Sequence, residues 1–67
     1  MYDQMILKAT GCTPDEARHV EGYMRLTFGT LDGLGADFKR EARSALKDAR
    51  LDPKAAEDNA RSYGLRP

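Results

Sequence analysis

The chain has no tryptophan, one cysteine and one histidine among its 67 residues. A single cysteine forms no internal disulfide. A structural zinc site needs about four ligands and a catalytic one about three plus water, so Cys12 and His19 complete neither. No apolar run approaches the roughly 20 residues of a membrane span, and none resembles the core of a signal peptide. A cytoplasmic protein with a free thiol and no cofactor is expected. Excess charge is absent too, because 11 Lys+Arg balance 11 Asp+Glu. No overall field draws the chain to nucleic acid or to an anionic membrane, and any such attraction must be local. A chain this short buries only about 60% of its unfolded surface, which predicts one small domain over residues 1–67 without a deep substrate pocket. An enzyme is the least favoured class.

What is present is helical punctuation. Tyr2, Met5, Ile6 and Ala9 recur at i, i+3, i+4, i+7, the spacing of one helix face, and Gly11 can turn left-handed just past the end. A first helix is predicted over about residues 2–9. Thr13 stands three residues before Glu16 with Pro14 between them, a capping box with proline at the first helical position. The second helix, about 14–28, projects Ala17, Val20, Met24, Thr27 and Phe28 toward a core. The stretch "GTLDGLG" at 29–35 is a connection pinned by Leu31 and Leu34. A third helix, about 36–50, buries Phe38, Ala42, Ala45, Leu46 and Ala49. Asp52-Pro53 opens a fourth, about 53–63, carrying Ala56, Ala60 and Tyr63, and Gly64 stops it so that Leu65 folds back on Ala60. No stretch alternates as a strand does. The predicted fold is all-α, a compact bundle of three to four short helices.

Chemistry concentrates in "GCTPDEARH", where Asp15 and His19 lie four apart and Cys12 just precedes the helix. A Cys/His/Asp set could in principle bind a metal or activate a thiolate. The simpler reading puts Cys12 in the hydrophobic staple position before the cap and pairs a solvated His19 with Asp15. The helix, turn and helix of residues 3–20 resemble the DNA-binding helix-turn-helix pattern, with Gly11 in the turn, Thr13 as cap, and Ala17 and Val20 in the core. The resemblance implies a recognition helix, but Asp15 and Glu16 in its first turn would repel phosphate. "TGCTPDEA" is also similar to the first half of a ubiquitin-associated domain, which implies a helical topology without that family's ubiquitin-contacting residues. Together with "GTLDGL" and "SYGL", it resembles short uncharacterised bacterial and phage proteins, a likeness that implies no known activity.

Two surfaces remain as candidates. On helix three, at about 100° per residue, Lys39, Arg43, Lys47 and Arg50 form a stripe about 80° wide with Arg40 at its edge, while Asp37, Glu41 and Asp48 take another sector. Lys39, Arg43 and Lys47 crowd at like-charge spacing, which an acidic partner or a bound anion would relieve. Pairing with acids of the first half is the competing reading, because residues 1–38 carry three bases and six acids, and residues 39–67 eight and five. On helix two, His19, Tyr23 and Leu26 fall at i, i+4, i+7 away from the core stripe, with Gly22 beside them as a marker of close approach by another helix. That helix could belong to this chain or to a second protomer. The leading expectation is a small non-catalytic interaction protein docking a helix face, through His19, Gly22, Tyr23 and Leu26, onto a protein partner or a second copy. The alternative is a nucleic-acid-binding accessory using Lys39, Arg40, Arg43, Lys47 and Arg50. No membrane partner is expected.

Overall fold

A computed structural model describes residues 2–66, and among them every regular element is helical: α1 (Asp3–Thr10), α2 (Pro14–Phe28), α3 (Phe38–Leu51) and α4 (Pro53–Ser62), with a single 3-10 turn at Gly35–Asp37 leading into α3. The ends follow the local signals. Gly11 adopts φ 70° and donates its N–H to the Leu7 carbonyl, closing α1. The Thr13 hydroxyl accepts from the Glu16 N–H while the Glu16 carboxylate accepts from the Thr13 N–H, both at 3.1 Å. Asp52 caps α4 by accepting from the Ala55 N–H. At the other end of α4, Gly64 turns at φ 72° and the Leu65 N–H reaches the Ala60 carbonyl at 2.9 Å, the reversal a Schellman motif requires.

Three helices surround the fourth, for α2 packs against α1, α3 and α4. Ile6, Ala17, Val20, Met24, Ala42 and Ala56 form the buried centre, joined by Cys12, Leu31, Phe38, Ala45, Leu46 and Ala49. The Tyr2 ring lies against Phe38 with centroids 6.1 Å apart. Much of what α3 and α4 contribute is alanine, so the core is made by bringing backbones close rather than by filling space with large side chains.

Some expected core positions are not buried. Thr27 and Phe28 face solvent, and Leu31 of the following connection is the buried residue at that end of the bundle. Met5 and Tyr63 are also exposed, and α3 begins at Phe38 after the 3-10 turn rather than at Ala36.

Gly22 is where two backbones meet. A Cβ there would stand 2.8 Å from the Ala60 nitrogen and 2.9 Å from its Cα, below any real carbon contact. Elsewhere Gly→Ala in a helix gains roughly 0.5–1 kcal/mol. Here α4 must move, and overpacking of this kind costs about 1–3 kcal/mol. Gly22→Ala is therefore expected to lower the denaturant midpoint, and a raised midpoint would show that α2 and α4 do not touch at this residue. Thr13→Ala, which removes the α2 cap, should cost about 1 kcal/mol in the same assay.

Candidate functional site

A helix with three neighbours has little outward face left, and polar residues of α2 are buried accordingly. Arg18 is 7% exposed and Glu21 2%. The Arg18 guanidinium meets Glu57 of α4 end-on: Nη1 donates to Oε2 at 2.8 Å and Nη2 to Oε1 at 2.9 Å. Nη2 also donates to Asp15 Oδ1 at 2.8 Å, and Nη1 to the Leu65 carbonyl at 3.3 Å. Parallel charge-assisted bonds of this kind are the strong ones, and they hold Arg18 charged far above any pH of interest, with Glu57 the larger influence and Asp15 the next. The Glu57 carboxyl is correspondingly held down to about 2, first by Arg18 and further by His19. Glu21 is bonded from its own helix, where Arg25 Nε and Nη2 both lie 3.0 Å from Oε2.

His19 differs from expectation. Asp15 is taken by Arg18, and His19 is not solvated: its side chain is 13% exposed, with Nε2 3.4 Å from Glu57 Oε1 and 3.4 Å from Arg18 Nη2. That nitrogen can accept from the arginine or donate to the glutamate, depending on the tautomer. The close approach at Gly22 is made by α4 of the same chain. Tyr23 packs against the core edge, and its hydroxyl is pushed to a higher pKa by desolvation and then by the charges of Asp52 and Asp48. Only Leu26, 57% exposed, projects freely from the face His19, Gly22, Tyr23 and Leu26 were expected to share. The docking face predicted on α2 is thus largely the seat of α4.

Arg18 also borders a hollow of about 460 Å3 between the start of α2 and the C-terminal turn, with Asp15, Glu21 and Leu65 among its walls. Nη1 and Nη2 are committed to protein acceptors, and Nε is buried without a partner. The hollow therefore presents no free cation from Arg18. Cys12 is buried in the core cluster, away from a nucleophile's need for access. Among the described residues no group of three His, Cys, Asp or Glu side chains is placed to hold a metal ion, and no helix is long and apolar enough to cross a membrane.

The bases of α3 divide into two sets. Arg50 reaches back to α2, its Nε 2.7 Å and Nη2 3.3 Å from the Glu16 carboxylate. That contact, with the Thr13 N–H, lowers the Glu16 carboxyl to about 2. Arg40 is held between Asp37 at 3.2 Å and Glu41 at 3.5 Å. Lys39, Arg43 and Lys47 have no carboxylate within ion-pair distance among the described residues, and all three are exposed. Arg43 and Lys47, with Arg50, also line a hollow of about 360 Å3 whose other walls are Leu46, buried, and Leu51, 78% exposed. The stripe was legible in the sequence. The exposed Leu51 next to it was not, because the third helix was expected to end at about residue 50 and runs to Leu51.

The geometry defines a small all-α protein organised around a central helix, with Lys39, Arg43 and Lys47 exposed in a row along α3. No protein family, curated protein or solved structure matches the chain.

Both depressed carboxyls make stability depend on pH. A carboxyl near 2 when folded and near 4.5 when unfolded adds stability that is full above about pH 5 and is lost as pH falls toward 2. Stability followed by urea titration from pH 6 to pH 2 is expected to decline over that interval. Glu16→Gln and Glu57→Gln should each flatten the decline, and the double variant should flatten it further. An unchanged slope in the double variant would remove these two ion pairs from the account.

Proposed function

We propose that this is a small non-catalytic protein-protein interaction protein that docks the outer face of α3 on a protein partner. The observation that carries the reading is the run along one exposed helix face of three bases with no carboxylate partner among the described residues, Lys39, Arg43 and Lys47, beside the exposed Leu51. Like charges at i, i+4 repel by a few tenths of a kcal/mol in a helix, and an exposed leucine beside them gains nothing from folding. Both are relieved by one event, burial against a partner that brings negative charge and apolar surface together. The α2 face supports the reading less, since α4 already covers Gly22 and lies against His19.

Binding to nucleic acid through the same stripe is the second reading, favoured by the run of unpaired bases. The two differ in salt response, because phosphate contacts make affinity fall steeply with salt and apolar docking does not. Capture from the native host, with Lys39→Glu/Arg43→Glu/Lys47→Glu as control, is expected to return a protein lost with the triple variant and retained at high salt. Amide exchange of the complex should then slow across residues 43–51. Recovery of nucleic acid instead, or protection elsewhere on the chain, would overturn the proposal. Light scattering on Leu26→Glu checks for self-association through α2: a drop in mass without loss of helicity would move the docking surface there.

A further inference from the structure

The hollow of about 460 Å3 between the start of α2 and the C-terminal turn draws its walls from three parts of the chain: Asp3 of α1, Pro14, Asp15 and Glu21 of α2, and Leu65 and Arg66 beyond α4. Ligand sites span about 300–1,000 Å3, so a small molecule or one long side chain fits it. We propose that the hollow binds a small organic cation, a primary ammonium or guanidinium on an apolar stem, held by Glu21 and Asp3. The proposal concerns residues apart from the α3 face and does not depend on docking there.

Glu21 carries the argument. It is 2% exposed and yet lines the hollow, and a carboxylate taken so far out of water is costly until its oxygens are bonded. Arg25 serves only Oε2. Oε1 has no hydrogen-bond partner among the described residues and, unlike Arg18 Nε, is not sealed from solvent. Asp3, in the first turn of α1, has no base within ion-pair distance among the described residues.

The bases in the wall do not cancel these charges. Arg18 is shared by Asp15 and by Glu57, which lies outside the hollow, and its unpartnered Nε is out of reach. Arg66 is exposed and has no carboxylate within ion-pair distance among the described residues, so it neutralises neither Asp3 nor Glu21. Acidic and apolar surface therefore share one concavity. Pro14 and Leu65 give an alkyl stem something to cover, and the charge at its end finds Oε1 open and Asp3 unpaired. A bare metal ion matches less well. It needs several oxygens at about 2.0–2.6 Å, and no three carboxylates are gathered for one among the described residues.

The test follows amide shifts of the full chain during titration with n-butylguanidinium, with n-butanol as the uncharged control, butyrate as the anion, and a glycine peptide carrying a single arginine. Butylguanidinium is expected to shift Asp3, Asp15, Glu21 and Leu65 and to saturate on the order of millimolar, as suits so few atoms. Butanol and butyrate are not. Asp3→Asn should weaken binding severalfold and Glu21→Gln about tenfold or more, with helicity unchanged. Arg25→Gln releases Oε2 and should tighten binding, an effect that a purely structural Glu21 would not give; this variant and Asp3→Asn also decide the matter if Glu21→Gln fails to fold. The peptide separates two sources of the same chemistry: affinity well above that of butylguanidinium assigns the hollow to an arginine side chain of a partner, and equal or lower affinity assigns it to a free molecule. Butyrate or butanol binding as well as the cation, shifts confined to other residues, no saturable shift, or binding indifferent to Asp3→Asn and Arg25→Gln would each overturn the proposal.

Discussion

The contact between the Gly22 and Ala60 backbones is the constraint on which the rest depends. A chain with few large apolar residues cannot fill a wide space between helices, so it closes the space instead. Gly22 on α2 and Ala56 and Ala60 on α4 allow the approach, and dispersion contacts between closely set backbones replace those that bulkier side chains would make. One turn earlier on α2, Arg18 clasps Glu57 of the same helix α4, and its head is bonded on a second side by Asp15. The small residues set the distance and the ion pair sets the register, because a fork on a carboxylate tolerates little sliding.

Charge is distributed by the same economy. The acid-rich first half and base-rich second half neutralise each other across the fold only at a few points, chiefly Arg50 with Glu16 and Arg18 with Glu57. Arg40 is satisfied locally by Asp37 and Glu41. Among the described residues Lys39, Arg43 and Lys47 are left without a carboxylate in a row, on the exposed side of α3. A neutral chain thus carries a local field, and local fields govern encounter even where net charge is zero.

Helix boundaries were legible because they are written in short-range chemistry: Gly11, Thr13-Pro14-Asp15-Glu16, Gly29, Asp52-Pro53 and Gly64 each act within a few residues. The face each helix buries was legible for α3, which has one side against the bundle. It was not for α2, where amphipathic patterning assumes a single buried stripe and the helix has neighbours on three sides. Arg18 and Glu21 lie off that stripe and are buried all the same, while Phe28, which reads as core, is exposed. Asp15 with Arg18 and Glu21 with Arg25 have spacings that announce a pair, but nothing local announces Glu57 as the partner of Arg18 or of His19. The candidate face on α3 was visible as charge and invisible as shape.

The Arg18 cluster joins residues 39 apart with Glu57 and 47 apart with the Leu65 carbonyl. Closing such long segments costs chain entropy before any contact returns it, so these bonds belong to the slow, non-local part of folding. α1, α2 and α3 can collapse around Ile6, Val20 and Met24 while Arg18 still lies in water. Only when α4 swings onto Gly22 does the arginine lose its solvent and gain its carboxylate in one step. The helix that joins latest, α4, is thereby the one that converts a loose three-helix cluster into a single cooperative unit.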